Sequence, residues 1–169
     1  METIIDIHFR ENKEILDFLE SKNEISFRND VDNKLKKILL LSVASFFEKE
    51  VTDLVVNFIS KKTEADDLIV SFVSNKAINR QYHTYFDWKG NNANQFFGLF
   101  GSDFKQGIVK EIKEKELENS VKSFLELGRL RNEMVHQNAG TFNIDKTTKE
   151  IYESYKIALS FLDFLKEKF

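Results

Sequence analysis

In the stretch Leu127-Gly128-Arg129-Leu130-Arg131-Asn132-Glu133-Met134-Val135-His136-Gln137-Asn138, an arginine, an amide, a carboxylate and an imidazole fall between positions 131 and 136. Of the 3 histidines in the chain, His136 is the one with such neighbours inside an apolar frame. These groups suit cleavage of a phosphodiester in RNA. An imidazole, with an ordinary pKa of about 6.5, exchanges a proton with a 2′-hydroxyl or a leaving oxygen near neutral pH. A guanidinium grips the phosphate with two parallel hydrogen bonds and stabilises charge as it builds.

The spacing fixes who can meet whom. Arg131 and His136 lie five positions apart, roughly 140° around a regular helix, so the long arginine must swing toward the same end surface. Asn132 and His136 stand at i and i+4 and share a face, which lets the amide orient either partner. Glu133 points elsewhere and pairs with Arg129 or Arg131. The set lacks a second acid–base group, and two-fold pairing of this helix with a second copy would supply one. A purely structural reading stands beside it: a salt-bridged helix end, with Arg131 on Glu133 or a neighbouring carboxylate and His136 on a terminal carbonyl. No two of His8, His83 and His136 lie at i,i+3 or i,i+4, so a histidine metal site is not expected, nor any cofactor.

The elements that must position these groups are helical. The 169 residues hold 17 Phe, no Pro and no Cys. At about 5% usage a chain this long would carry roughly eight prolines, and their absence favours uninterrupted helices. Without cysteine there are no disulfides and no thiolate metal sites. A net charge of -3, from 25 basic and 28 acidic residues, argues against broad nonspecific nucleic-acid affinity but leaves room for a local basic pocket. No run of 18 apolar residues exists and Met1–Asp6 lacks the features of a signal peptide, so a soluble, cytoplasmic protein is expected.

Taken in order, Ile4–Phe9 reads as an extended arm or a frayed helix, and Glu11–Glu20 as a short helix with Ile15, Leu16, Phe18 and Leu19 at helical spacing. A long helix follows from about Val31 to Ile59, opened by Asn29 or Asp30 and roughly 40 Å long. Glu48 within it belongs either to a solvated face or to the support of Arg131 and His136. Thr63-Glu64-Ala65-Asp66 resembles a capping box, opening a helix whose buried side is Leu68, Ile69, Phe72 and Val73, and which ends near Asn79. Residues 82–104 break the pattern with the one Trp and a dense set of aromatics. They form either a stacking platform for unpaired bases or a compact loop plugging the end of the bundle, and His83 among them reads as packing. Helical periodicity returns from Phe104 to Val135, as one helix or two with a bend near Lys115, stopping at Asn138-Ala139-Gly140. A capping box at Thr147–Glu150 starts the last helix, with Ile151, Tyr155, Ala158, Leu162 and Leu165 in one stripe. The sum is an all-α fold: one domain over 1–169, an up-and-down bundle of four to five helices with a Phe-rich loop insertion.

Arg131-Asn132-x-x-x-His136 resembles the R-x4–6-H motif of HEPN domains, with the usual polar residue directly after the arginine. The surroundings are similar to the RiboL-PSP-HEPN and MAE_28990-type branches: the Leu-Gly-Arg-Leu-Arg-Asn lead-in, the Phe-rich loop with Leu99-Phe100-Gly101, and the early long helix with Ser45 and Glu48. The resemblance implies a HEPN-like helical homodimer whose two Arg/His motifs meet in a cleft and cut RNA without metal. It further implies a toxin restrained by an antitoxin, or an effector of phage defence with a partner protein. On this resemblance Arg131 and His136 are catalytic and Asn132 supports them, with Glu48, Glu133 and Arg129 as further supporting residues. The alternatives are a non-catalytic HEPN-like module that binds RNA or a protein, and a plain helical oligomerisation domain. One departure stands out. HEPN toxins partnered with a nucleotidyltransferase carry a tyrosine two positions after the histidine, where this chain has Asn138, so control by nucleotide addition there is not expected.

Overall fold

The computed structural model describes residues 2–169. The first helix, α1 (Ile4–Ser21), starts at Thr3, whose hydroxyl accepts the Asp6 amide while the Asp6 carboxylate accepts the Thr3 amide. This reciprocal cap satisfies two otherwise orphan donors. It turns the expected arm and separate short helix into one element. Ile5, Leu16 and Leu19 are buried by it, whereas Ile15 and Phe18 stay exposed.

The second helix, α2 (Ile25–Lys62), has 38 residues and is longer than expected at both ends, about 57 Å at 1.5 Å per residue. Asn29 and Asp30 lie inside it and cap nothing. Its start is set by the preceding turn: Asn23 takes φ 57°, its amide reaches the Glu20 carbonyl, and the Glu24 amide reaches that of Leu19. That left-handed termination lets two helices reverse direction without glycine or proline. Arg28 then pairs with Glu20 across the turn at 3.1 Å.

Asp66 caps the third helix, α3 (Asp67–Val73), by accepting the Leu68 and Ile69 amides. It runs on as a π-helical turn, Ser74–Ile78. The expected buried side of α3 is wrong: Leu68 is 83%, Ile69 47% and Phe72 66% exposed. The apolar spacing is real, but among the described residues that face of α3 has no partner. Only Val73, at its end, packs against the core.

The aromatic segment holds two short helices, α4 (Tyr82–Tyr85) and α5 (Asn94–Gly98). Tyr85, Phe86, Phe96 and Phe97 are buried, so the plug reading holds for them. Next come α6 (Ser102–Glu114) and α7 (Glu118–His136), separated at Lys115–Leu117 where Glu116 takes φ 54°. The last helix, α8 (Thr148–Lys168), begins with the expected capping box of Thr147 and Glu150.

Side-chain pairs give the directions of the long helices. Thr148 meets Asp32, Tyr155 meets Phe47 and Phe169 meets Phe58, so α8 runs parallel to α2. Phe124 meets Phe161 and Lys115 meets Glu167, so α7 opposes α8. Phe47, Phe124, Tyr155 and Phe161 form the shared centre, with Phe47–Phe124 centroids 5.1 Å apart and Phe124–Phe161 5.2 Å. The fold is all-α, and among the described residues no helix is long and apolar enough to cross a membrane.

Candidate active site

Leu127 and Met134 are buried on one side of α7 and hold it against the core. Arg131, four residues after Leu127 and three before Met134, lies half-buried at the edge of that side, while Asn132 and the exposed His136 lie further round the helix. Beyond His136 the chain is tied to α2, which keeps the end of α7 in place. Lys36 donates to the Ile144 carbonyl at 2.9 Å, Lys37 to the Ala139 carbonyl at 2.8 Å, and Thr148 to Asp32 at 2.5 Å. Asn138 closes the turn itself: its side-chain oxygen accepts the Gly140 amide at 3.0 Å and its carbonyl accepts those of Thr141 and Phe142. The residue that departs from the tyrosine pattern therefore has a structural task of its own.

Glu133 pairs with Arg129 through both carboxylate oxygens, at 2.8 and 3.0 Å, and so does not engage Arg131. Arg131 donates to the Asn132 side-chain oxygen at 3.0 Å and lies 4.0 Å from Glu48 on α2. Glu48 thus joins the motif rather than a remote solvated face. The expected carbonyl partner of His136 does not occur: among the described residues its imidazole makes no hydrogen bond, and the Glu133 carbonyl is taken by the Gln137 amide at 2.9 Å. The purely structural reading accounts for Arg129 and Glu133. It leaves His136 unexplained.

All six motif and supporting residues line one cleft of about 990 Å³. Its floor is apolar, from Ala44, Phe47, Phe86 and Phe124. Its remaining lining comes from the segment that holds Arg80, Tyr82, His83, Asp87, Trp88, Lys89 and Gln95. That segment is itself pinned, since Gln95 donates to the Thr84 carbonyl at 2.7 Å and Tyr85 to the Ala77 carbonyl at 2.8 Å. Burial pushes the Tyr82 phenol well above the usual tyrosine range; the Glu48 carboxylate adds to the rise and Arg131 opposes it. Tyr82 is therefore a neutral phenol that lines the cleft with the Arg131–Glu48 pair.

Sequence reasoning left residues 82–104 as a stacking platform or a plug and did not bring them to the motif. His83 was expected to be packing, yet it is exposed and lines the cleft, so one chain brings two imidazoles to one cavity. Arg80 carried no sequence signal at all. Gly128 did, because a glycine inside a helix costs about 1 kcal/mol relative to alanine and calls for a close approach. An alanine Cβ there would stand 2.0 Å from Cζ3 of Trp88. A family model described as RiboL-PSP-HEPN matches residues 7–169. No curated protein and no solved structure matches the chain.

Proposed function

The chain belongs to the RiboL-PSP-HEPN family, and from that premise we propose that it is a metal-independent endoribonuclease using the RNA's own 2′-hydroxyl as nucleophile. The observation that carries the reading is the cleft, where a braced guanidinium and a hydrogen-bond-free imidazole face one cavity. Arg131 grips the non-bridging phosphate oxygens, its other edge held by Asn132 and Glu48. His136 moves the proton. The 2′-oxygen bonds to phosphorus as the bond to the 5′-oxygen breaks, leaving a 2′,3′-cyclic phosphate and a 5′-hydroxyl. The proton lost from the 2′-hydroxyl and the one gained by the 5′-oxygen call for two groups. Pairing of two copies about a two-fold axis brings a second Arg/His set and completes the site. In this reading the protein acts in the cytoplasm as a toxin or phage-defence effector, restrained by an antitoxin or defence partner.

The test is cleavage of RNA by the purified protein in excess chelator, with the product ends identified, and growth on induced expression. The expected result is cyclic-phosphate and 5′-hydroxyl ends and growth arrest, both lost in His136→Ala. Undiminished cleavage or arrest in His136→Ala would overturn the reading. A second reading, a non-catalytic RNA- or protein-binding module, draws on the carboxylates Glu48, Asp87 and Glu133 that share the cleft with its cations. Binding of RNA by a wild type that cuts nothing would favour it.

A further inference from the structure

Proton transfer and phosphate binding leave one part of the cleft unused. At its centre is Trp88, the one tryptophan of the chain. Its six-membered ring lies on the α7 backbone at Gly128, one turn before Arg131, where an added Cβ would stand 2.0 and 2.3 Å from Cζ3 and Cε3. The indole N–H donates to the His83 carbonyl at 2.9 Å. The rings of Phe86 and Tyr82 pack at 5.1 and 5.4 Å. The orientation of the indole is thus fixed on several sides, yet the ring stays half-buried and lines the cleft. A tryptophan serving only as a wedge would need no open surface.

Two cations share the cleft with it. Arg80 and Lys89 line the same cleft, and among the described residues neither side chain makes an ion pair or a hydrogen bond. Arg80 takes φ 62°, a left-handed conformation that residues with a side chain seldom adopt, at the point where the π-helical turn gives way to the cleft wall. A flat aromatic ring held next to free cations and a phosphate grip is the arrangement that binds an unpaired strand. Every base has a π-face to stack, and the backbone follows positive charge.

We propose that Trp88 is a stacking platform for one unpaired RNA base, with Arg80 and Lys89 holding a neighbouring phosphate while Arg131 holds the scissile one. This rests on the ribonuclease reading and adds the substrate class: single-stranded RNA, because a base inside a duplex cannot be laid on the indole. Gly128 is then what lets the ring lie close enough to α7 for base and phosphate to be reached together.

Because Trp88 is the sole tryptophan, its emission reports this site alone. The experiment titrates the full chain with a 2′-O-methyl oligoribonucleotide about eight nucleotides long, which cannot be cut by 2′-attack. Binding is read by anisotropy of a labelled strand and stacking by tryptophan emission with the unlabelled one. The same strand in a duplex and an abasic strand serve as comparisons, and cleavage of unmodified RNA is scored in parallel. The expected result is saturable quenching by the single strand only, and binding roughly tenfold weaker in Trp88→Leu and in Arg80→Ala/Lys89→Ala. The double variant leaves the indole seat intact and keeps the test open if Trp88→Leu misfolds. Binding without quenching, equal binding of the duplex, or no binding at all would overturn the proposal. Cleavage without quenching sinks the platform alone; quenching without cleavage sinks the ribonuclease alone.

Discussion

Arg131 and His136 sit about 140° apart around α7, yet both reach one cleft because Arg131 is long and bends toward Glu48 on α2. A shorter or differently shaped cation would not keep that brace. Arg131→Lys retains the charge but loses the planar fork that serves Asn132 and a phosphate together. It is expected to lower kcat by roughly tenfold or more with an unchanged Tm, measured as initial cleavage rates beside a melting curve. Gly128→Ala is a sharper test of the site's construction. Helix propensity alone would raise stability by about 1 kcal/mol. The 2.0 Å approach to Trp88 instead forces overpacking, which typically costs about 1–3 kcal/mol. Net destabilisation in urea is the expected outcome; a stabilised variant would mean that the indole is free to move away.

Between elements, the ties are as specific as the motif. α1 is joined to α8 through Asp6, which accepts the Tyr152 hydroxyl at 2.6 Å and Lys156 at 3.2 Å. Burial by itself would raise the Asp6 pKa, but the hydrogen bonds from Tyr152, Thr3 and Lys156 win and hold it well below the ordinary 3.8. Tyr152 is pushed up to about 12, first by its bond to that carboxylate and then by burial. The signs follow. A depressed carboxylate contributes stability that is complete above its unfolded value and lost as pH falls below about 4. A raised phenol contributes stability that is complete below about 10 and lost as pH rises toward about 12. Asp6→Asn is therefore expected to flatten the loss of stability at both ends of the pH range, read from urea midpoints across pH. An unchanged profile would show that Asp6 is not what fixes α1 to α8.

At the scale of the whole molecule, the open question is whether the second acid–base group comes from another copy. The composite-site reading expects a mass near twice that of the chain in sedimentation at micromolar concentration, with cleavage per chain falling on dilution. Dilution-independent cleavage would shift the role to His83, which already lines the same cleft. The amino-acid sequence alone determined the long helices, the Thr147 capping box and the Arg131–His136 motif, because each rests on local periodicity, capping or spacing; it named Lys115 as a place for a bend without deciding between one helix and two. It misled at the start of α1, which begins at Ile4, and at both ends of α2, whose start follows Asn23 in a left-handed turn that no glycine marks. It misled at α3 as well, since an apolar face says that a partner is needed but not that the chain supplies one. Only the tertiary structure decided that Glu48 meets Arg131, that Glu133 is taken by Arg129, and that Arg80, His83, Trp88 and Lys89 line the same cleft. Glu48 and the residues from Arg80 to Lys89 lie some 40 to 80 positions from the motif, and they meet it because α2 and α7 pack on one aromatic centre. That is a matter of packing between helices, which no spacing along a single helix encodes.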